Sequence, residues 1–212
     1  VLFRLSDGET VEAVIMPAER HPTLCLSTQV GCQLDCVFCE TGRWGYRRNL
    51  RQEEILDQLL QLRGMLPAGG PRPNIVFMGM GEPLANLPNL LAAIHIVTAP
   101  WGLHLGARHL TVSTSGLVPQ IRKLANHPQQ TRLAISLHGA TDEVRNRIMP
   151  VNRKWPLDQL FDALDEWNAR RKQMLTLEYI LIHNVNDHLD QARLLARHAR
   201  RLRAKIQRTH GL

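Results

Sequence analysis

LCLSTQVGCQLDCVFC, residues 24–39, is the stretch that decides the fold. Leu24 to Val30 alternates and is rich in branched side chains, which predicts a core strand ending at Gly31. Directly after it come Cys32, Cys36 and Cys39, a Cys-x3-Cys-x2-Cys run. Three soft thiolates in one tight loop favour a metal. A structural zinc site closes with a fourth Cys or His, and an iron–sulfur cluster ordinarily takes four cysteines, so three ligands leave one metal position open for chemistry. The other readings are a zinc knuckle closed by a distant His or by Cys25, or free buried cysteines. Cys25 follows the strand alternation and reads as a small buried hydrophobe.

Upstream of this stretch, Thr10 to Met16 reads as a short β-like opening. Downstream, a polar loop from Gly31 to Asn49 leads into a helical pattern from Gln52 to Gly64, with Ile55, Leu59, Leu60 and Leu62 at helical spacing. Asn74 to Met78, His109 to Ser113, Arg132 to Leu137 and Leu175 to Ile182 predict four more strands. Leu87 to Val97, Leu117 to Asn126, Pro156 to Arg171 and Leu189 to Arg203 predict four more helices. Strands and helices in alternation predict an α/β protein with a parallel sheet and right-handed crossovers, curled as a partial barrel or laid open as a doubly wound sheet. In either case the loops after the carboxyl ends of the strands build the site. The cysteine loop, Gly79 to Gly81, Ser113 to Gly116 and His138 all follow predicted strands and are expected on one face.

The chain has 212 residues, 44% of them apolar and 21% charged, which suits one domain with a real core and argues against a disordered tail. No apolar run approaches the roughly 18 residues of a membrane helix, because His95 and Pro100 interrupt Leu90 to Trp101. No basic-then-apolar leader opens the chain and the four cysteines are clustered, so a reducing cytoplasm is expected. The first residue is Val1, which leaves room for an upstream segment. The net charge is +7. With a sequence pI of about 9.8 this favours an acidic partner such as nucleic acid, although plain soluble surfaces also carry such a charge.

Four ordered motifs carry a resemblance: STQVGCQLDCVFCETGRWGYRRNL, MGMGEPLAN, TVSTSG and AISLHGATDEVRNRIMPVN. From about Val11 to about Asp190 the chain resembles the radical S-adenosylmethionine adenine-C2 RNA methyltransferases of the RlmN and Cfr type. The resemblance implies a partial (βα) barrel, with residues 1–212 forming the core domain and holding five of its six βα units. It also implies a [4Fe-4S] cluster on Cys32, Cys36 and Cys39, whose open iron is chelated by S-adenosylmethionine and drives reductive cleavage to a 5′-deoxyadenosyl radical. By the same resemblance Gly81, Glu82, Ser113, Ser136, Leu137 and His138 contact the cofactor, and Glu12 is the catalytic proton acceptor. The implied reaction is methylation at C2 of an adenosine in 23S rRNA, with tRNA as a second substrate, through a methyl-cysteine intermediate. C8 of adenine is the other position the motifs allow. The implied partners are RNA and an electron donor such as flavodoxin, with the protein a monomer and no membrane.

Read without the resemblance, each motif has an ordinary meaning. Gly79 to Gly81 is a flexible turn, Ser113 a turn former, His138 a satisfied core histidine and Glu12 a solvent-facing strand residue. In RWGYRR, Arg43, Arg47 and Arg48 beside Trp44 and Tyr46 offer phosphate partners and stacking faces, or make a plain exposed loop. The arginines from Arg193 to Arg208 read most simply as a solvated helix face, with RNA contact as the lesser reading.

The chain also departs from the pattern. No cysteine follows Cys39, so the methyl-carrying cysteine is not in this chain. The chain ends in IQRTHGL, and the sixth strand is expected to be missing. There is no room before Glu12 for the family's N-terminal accessory domain, and Glu40 stands where a small residue is common. The chain alone is therefore expected to complete no methyl transfer. The alternative from another class is an iron–sulfur RNA-binding module or vestigial fragment without methyl transfer. A radical enzyme acting on a non-RNA substrate is disfavoured by the set of motifs.

Overall fold

The computed structural model describes residues 1–210. Strands β1 (Leu2–Arg4) and β2 (Thr10–Glu12) form an antiparallel hairpin, and β3 (Val14–Met16) pairs antiparallel with β4 (Thr23–Cys25). A second ribbon joins β5 (Gln29–Gly31) to β6 (Tyr46–Asn49) around a short helix, α1 (Glu40–Arg43). The chain then alternates through α2 (Gln52–Gly64), β7 (Asn74–Phe77), α3 (Leu87–Thr98), β8 (Leu110–Thr114), α4 (Val118–Ala125) and β9 (Arg132–Ser136). It continues with α5 (Asp142–Ile148), α6 (Leu157–Arg170), β10 (Thr176–Leu181), α7 (Leu189–Leu202) and β11 (Lys205–His210). The main sheet has the order β11-β10-β9-β8-β7-β4-β3, parallel throughout except for β3, and curls into a half-barrel. Of the two architectures open at the level of periodicity, the barrel is therefore the one formed.

The helices cover the outer face because each carries one apolar stripe. In α2, Ile55, Leu59 and Leu62 are buried against the sheet, whereas Leu60 is exposed and lies off the stripe. In α6, Leu160, Phe161, Leu164 and Trp167 are buried. Arg171, just past α6, donates to the carbonyls of Leu124, Ala125 and His127, which satisfies the open end of α4 and ties the two helices together. No helix among the described residues is long and apolar enough to cross a membrane.

The predicted strand Leu24 to Val30 is two strands in different sheets. The break falls at Ser27, whose backbone N–H donates to the Gln58 side chain at 2.9 Å and whose carbonyl accepts from it at 3.2 Å. Next, Asn86 donates to the carbonyls of Thr28 and Leu50. Two buried amides thus replace a sheet ladder, and the backbone is free to turn toward the cysteines. Thr10 to Met16 likewise divides between the first hairpin and the edge of the main sheet.

A second correction concerns the sixth strand. It is present as β11, which pairs with β10 in parallel from Thr176↔Lys205 to Leu181↔His210. Helix α7 ends at Arg203 in the left-handed conformation, at φ 50° and ψ 38°. That turn is normally announced by Gly or Asn, and an arginine gives no such signal. Five βα units and a sixth strand therefore lie within the described residues.

Candidate active site

The carboxyl ends of the parallel strands open on one cavity of about 320 Å³, a size suited to a small cofactor. Cys32, Cys36 and Cys39 reach it from the loop between β5 and α1, Gly81 and Glu82 from the turn after β7, and Ser113 from β8. Ser136, His138 and Glu178 complete it from β9 and β10. The structure thus brings together eight of the ten predicted site residues. Leu137 is fully buried and turns its backbone to the site, its N–H donating to the Glu178 carbonyl. Glu12 lies on β2 with an exposed side chain outside the cavity lining. Its backbone reaches the site's support, since its carbonyl accepts from Ser27 Oγ at 2.5 Å and its N–H points at Met80 Sδ.

The cysteine loop is held by its own backbone. Cys39 N–H donates to the Cys36 carbonyl, Gly42 N–H to the Cys39 carbonyl and Cys32 N–H to the Gly45 carbonyl. Val37 N–H donates to Ile148 at the end of α5, which anchors the loop to the barrel. Burial pushes the Cys32 thiol up to about 11 and the Cys36 thiol up to about 12, with the neighbouring cysteines adding to the latter. A metal that binds must displace those protons. All four cysteines are free thiols. Cys25 lies half-buried on β4 and outside the cavity lining. Glu40, which stands where a small residue is common, has an exposed carboxylate paired with Arg43 at 3.6 Å.

Glu82 is the anchor of the next turn. Its Oε1 accepts from Leu84 N–H at 3.1 Å and its Oε2 from Ser115 N–H at 2.8 Å. Burial raises its pKa above the usual carboxylate range, against the pull of these donors. The turn needs a glycine at Gly81, where φ is +95° and a Cβ would fall 2.4 Å from Gln29 Cβ. Gln29 in turn accepts from Glu82 N–H at 2.8 Å.

Glu178 is a site residue that the sequence reading missed. Its Oε2 accepts from Ser113 Oγ at 3.0 Å and from Ser136 Oγ at 3.3 Å, and burial raises its pKa. A carboxylate in the middle of the apolar strand Leu177 to Leu181 was the available signal. His138, at φ 53°, is held neutral: its Nδ1 accepts from Ile180 N–H at 3.1 Å, and burial with nearby Arg145 pushes its pKa down to about 3. Its ring meets Phe38 edge-on at 4.8 Å.

Arg145 was also missed. It is fully buried on α5 and donates to Asn152 Oδ1 at 2.8 Å, the Ser115 carbonyl at 2.9 Å and the Ser136 carbonyl at 3.1 Å, as well as to the Leu137 carbonyl. One guanidinium therefore gathers the chain leaving β8 and β9. Burial pushes its pKa down to about 10, and the nearby Cys36 partly restores it.

Of the RWGYRR arginines, Arg48 is committed to Glu54 at 2.8 Å and Asp7 at 2.7 Å. Arg47, Trp44 and Tyr46 are exposed beside the cysteine loop.

A half-barrel with a three-thiol loop at its carboxyl end, facing a buried carboxylate, defines the radical S-adenosylmethionine class of protein. Residues 26–196 match the model of the Radical SAM superfamily, and the chain belongs to that superfamily, whose cofactors are a [4Fe-4S] cluster and S-adenosylmethionine. It is 54% identical to the probable dual-specificity RNA methyltransferase RlmN of Akkermansia muciniphila, with 97% of this chain and 59% of that protein covered. It is 47% identical to the dual-specificity RNA methyltransferase RlmN of Syntrophus aciditrophicus, again covering 97% and 59%. The crystal structure of a radical SAM methyltransferase from Sphaerobacter thermophilus superposes with a TM-score of 0.94 at 41% identity, covering 98% of this chain and 61% of that one. The chain thus spans about six-tenths of the length of these relatives.

The residues present fit the family's cofactors. Three thiols of one loop, all lining the cavity, would hold three irons of such a cluster and leave one without a protein ligand. Among the described residues no three His, Cys, Asp or Glu side chains are drawn together as for a single ion.

Proposed function

We propose that this chain is the cofactor-holding core of a radical S-adenosylmethionine RNA methyltransferase that acts on C2 of an adenosine, in 23S rRNA and in tRNA. The observation that carries this reading is one cavity uniting three loop thiols with the buried carboxylate of Glu82. The names of the RlmN relatives supply the RNA substrate.

A cluster held here would supply the one-electron reduction of the sulfonium of S-adenosylmethionine that opens radical chemistry. The chain's residues position that reaction. Cys32, Cys36 and Cys39 hold the cluster. Glu82 receives the methionine ammonium, and Gly81 lets the backbone approach it. Ser113 and Ser136 present hydroxyls already oriented by Glu178, and His138 offers Nε2–H, because its Nδ1 is occupied as an acceptor. Glu12 takes the proton from the methylated carbon, a role carried by the resemblance of its motif, and its backbone ties β2 to Ser27 and Met80 at the edge of the site. The methyl-carrying cysteine comes from outside this sequence, since none follows Cys39. The protein works as a monomer in a reducing cytoplasm with an electron donor such as flavodoxin, a setting that suits four unpaired cysteines.

The test is anaerobic reconstitution followed by metal analysis and electron paramagnetic resonance. About four irons per chain are expected, lost on Cys36→Ala. Cofactor and reductant should then yield 5′-deoxyadenosine, and the protein extended to the length of its relatives should yield 2-methyladenosine in RNA by nucleoside mass spectrometry. Stoichiometric zinc without iron would overturn the cluster assignment. Deoxyadenosine without methylated adenosine from the extended protein would overturn the RNA assignment.

A further inference from the structure

The five connections that enter the parallel strands from the preceding helices are residues 65–73, 99–109, 126–131, 171–175 and 203–204. All lie at the amino-terminal end of the barrel, opposite the cavity. Not one contains Asp or Glu, although the chain has 19 acidic residues. They and the first residues of the strands they feed carry exposed Arg72, Arg108, Arg132, Lys172, Arg203 and Lys205. None of these six forms an ion pair among the described residues. Among the described residues the loop between β3 and β4 adds the exposed Glu19, and in the last two turns of α6 Asp165 and Glu166 are already paired with Arg201 and Arg122.

Strand register concentrates the charge. Lys205 is opposite Thr176 on the adjoining strand, and Arg132 begins the next strand but one. Arg108, Arg132 and Lys205 line one hollow of about 410 Å³. Arg108 also lines a neighbouring hollow of about 350 Å³ with Arg72, His104 and His109. Crowding by Arg108, His21, Arg132 and Arg72 adds to burial in lowering the His109 pKa. Helix carboxyl ends attract cations through their dipoles, which accounts for basic residues in last helical turns. Arg132 and Lys205 sit instead at strand starts, and Arg108 in a short 3-10 turn just before β8, too short to carry a helix dipole of that kind.

We propose that this amino-terminal face is a second docking surface for the phosphate backbone of RNA, separate from the catalytic cavity. The inference rests on the RNA reading above and extends it to the opposite end of the barrel. Cations without neighbouring carboxylates are matched to a polyanion, and binding to them releases counterions. Nucleic acid rather than an acidic protein is favoured by Trp101, 71% exposed in the 99–109 connection, which offers a face for base stacking. The surface reads no sequence; it holds a remote part of a large substrate RNA.

The test compares two triple variants of equal charge. Arg108→Gln/Arg132→Gln/Lys205→Gln removes the three cations of the larger hollow, and Arg193→Gln/Arg197→Gln/Arg200→Gln removes three exposed arginines of α7. Binding of bulk bacterial tRNA is titrated over a range of salt. The face variant is expected to lose about tenfold or more in affinity at ~0.1 M salt, and about 2 in the slope of log affinity against log salt; the α7 variant should lose less than about threefold. Ultraviolet crosslinks should map by peptide mass spectrometry to 99–109 and 171–175. Equal losses in the two variants, or none in either, would overturn the proposal. So would binding of polyglutamate but not RNA through the same residues. RNA binding that survives the face variant refutes this surface alone, whereas a lack of 2-methyladenosine from the extended protein refutes the reading beneath it.

Discussion

Arg145 and Arg108 are the same side chain at opposite ends of one barrel. Arg145 is fully enclosed and spends its guanidinium on one side-chain and three backbone oxygens. Arg108 is exposed between two hollows and makes no ion pair among the described residues. Glu82, His138 and the half-buried Glu178 repeat the first pattern: each is shifted by burial and fixed by hydrogen bonds. Charge at the carboxyl end is thus part of the framework, whereas charge at the amino end is held in reserve for solvent or a partner. In a low-dielectric site an ionic group must be paid for by fixed dipoles, and those dipoles then keep the site in shape.

The largest expected effect is at Arg145. Arg145→Met leaves the carbonyls of Ser115, Ser136 and Leu137 without their donor, and should cost about 3–5 kcal/mol in urea unfolding. A loss under about 1 kcal/mol would erase the contrast between the two ends.

Next in size is a pH effect from His138. Its folded pKa is depressed to about 3 from the ordinary histidine value of about 6.5, so the unfolded chain takes up the proton first as the pH falls. Its contribution is complete above about pH 6.5 and declines as the pH drops toward about 3, a loss of a few kcal/mol. The acid limb of stability for His138→Gln should be flatter over that window, and an unchanged slope would place the ring in contact with water.

A smaller effect is expected at Glu82. Glu82→Ala should weaken S-adenosylmethionine binding to the cluster-loaded protein by about 10- to 100-fold in calorimetry, with iron content unchanged. Unaltered affinity would make the carboxylate only the anchor of its own turn. The smallest belongs to the opposite end, where Arg108→Gln should shift stability by less than about 0.5 kcal/mol.

The alternation of strands and helices was legible because periodicity records which face is buried. Helix α2 has the predicted bounds, and α3, α4, α6 and α7 fall within about one residue of theirs. The cysteines, Glu82 and His138 were legible through short motifs. Elements made by a single side chain against the backbone were not. Gln58 divides β4 from β5, and no local pattern says that a glutamine 31 residues away will complete Ser27. Helix α5 lies inside a recognised motif, yet its purpose depends on Arg145 reaching three carbonyls on other segments. Glu178 was hidden because a strand with one inward carboxylate has the same alternation as a strand with one outward carboxylate.

Gly31 gives the cysteine loop a further property. It sits at φ +73°, and a Cβ there would fall 1.7 Å from the carbonyl oxygen of Gly45, the oxygen that accepts from Cys32 N–H. A residue with no donor atoms is therefore as irreplaceable as a ligand, and for a purely steric reason. Any survey that scores tolerance position by position would return Gly31 alongside Cys32, Cys36 and Cys39. Counting intolerant positions in this loop overcounts its ligands, and only the metal content of each variant separates the residue that shapes the loop from those that bind.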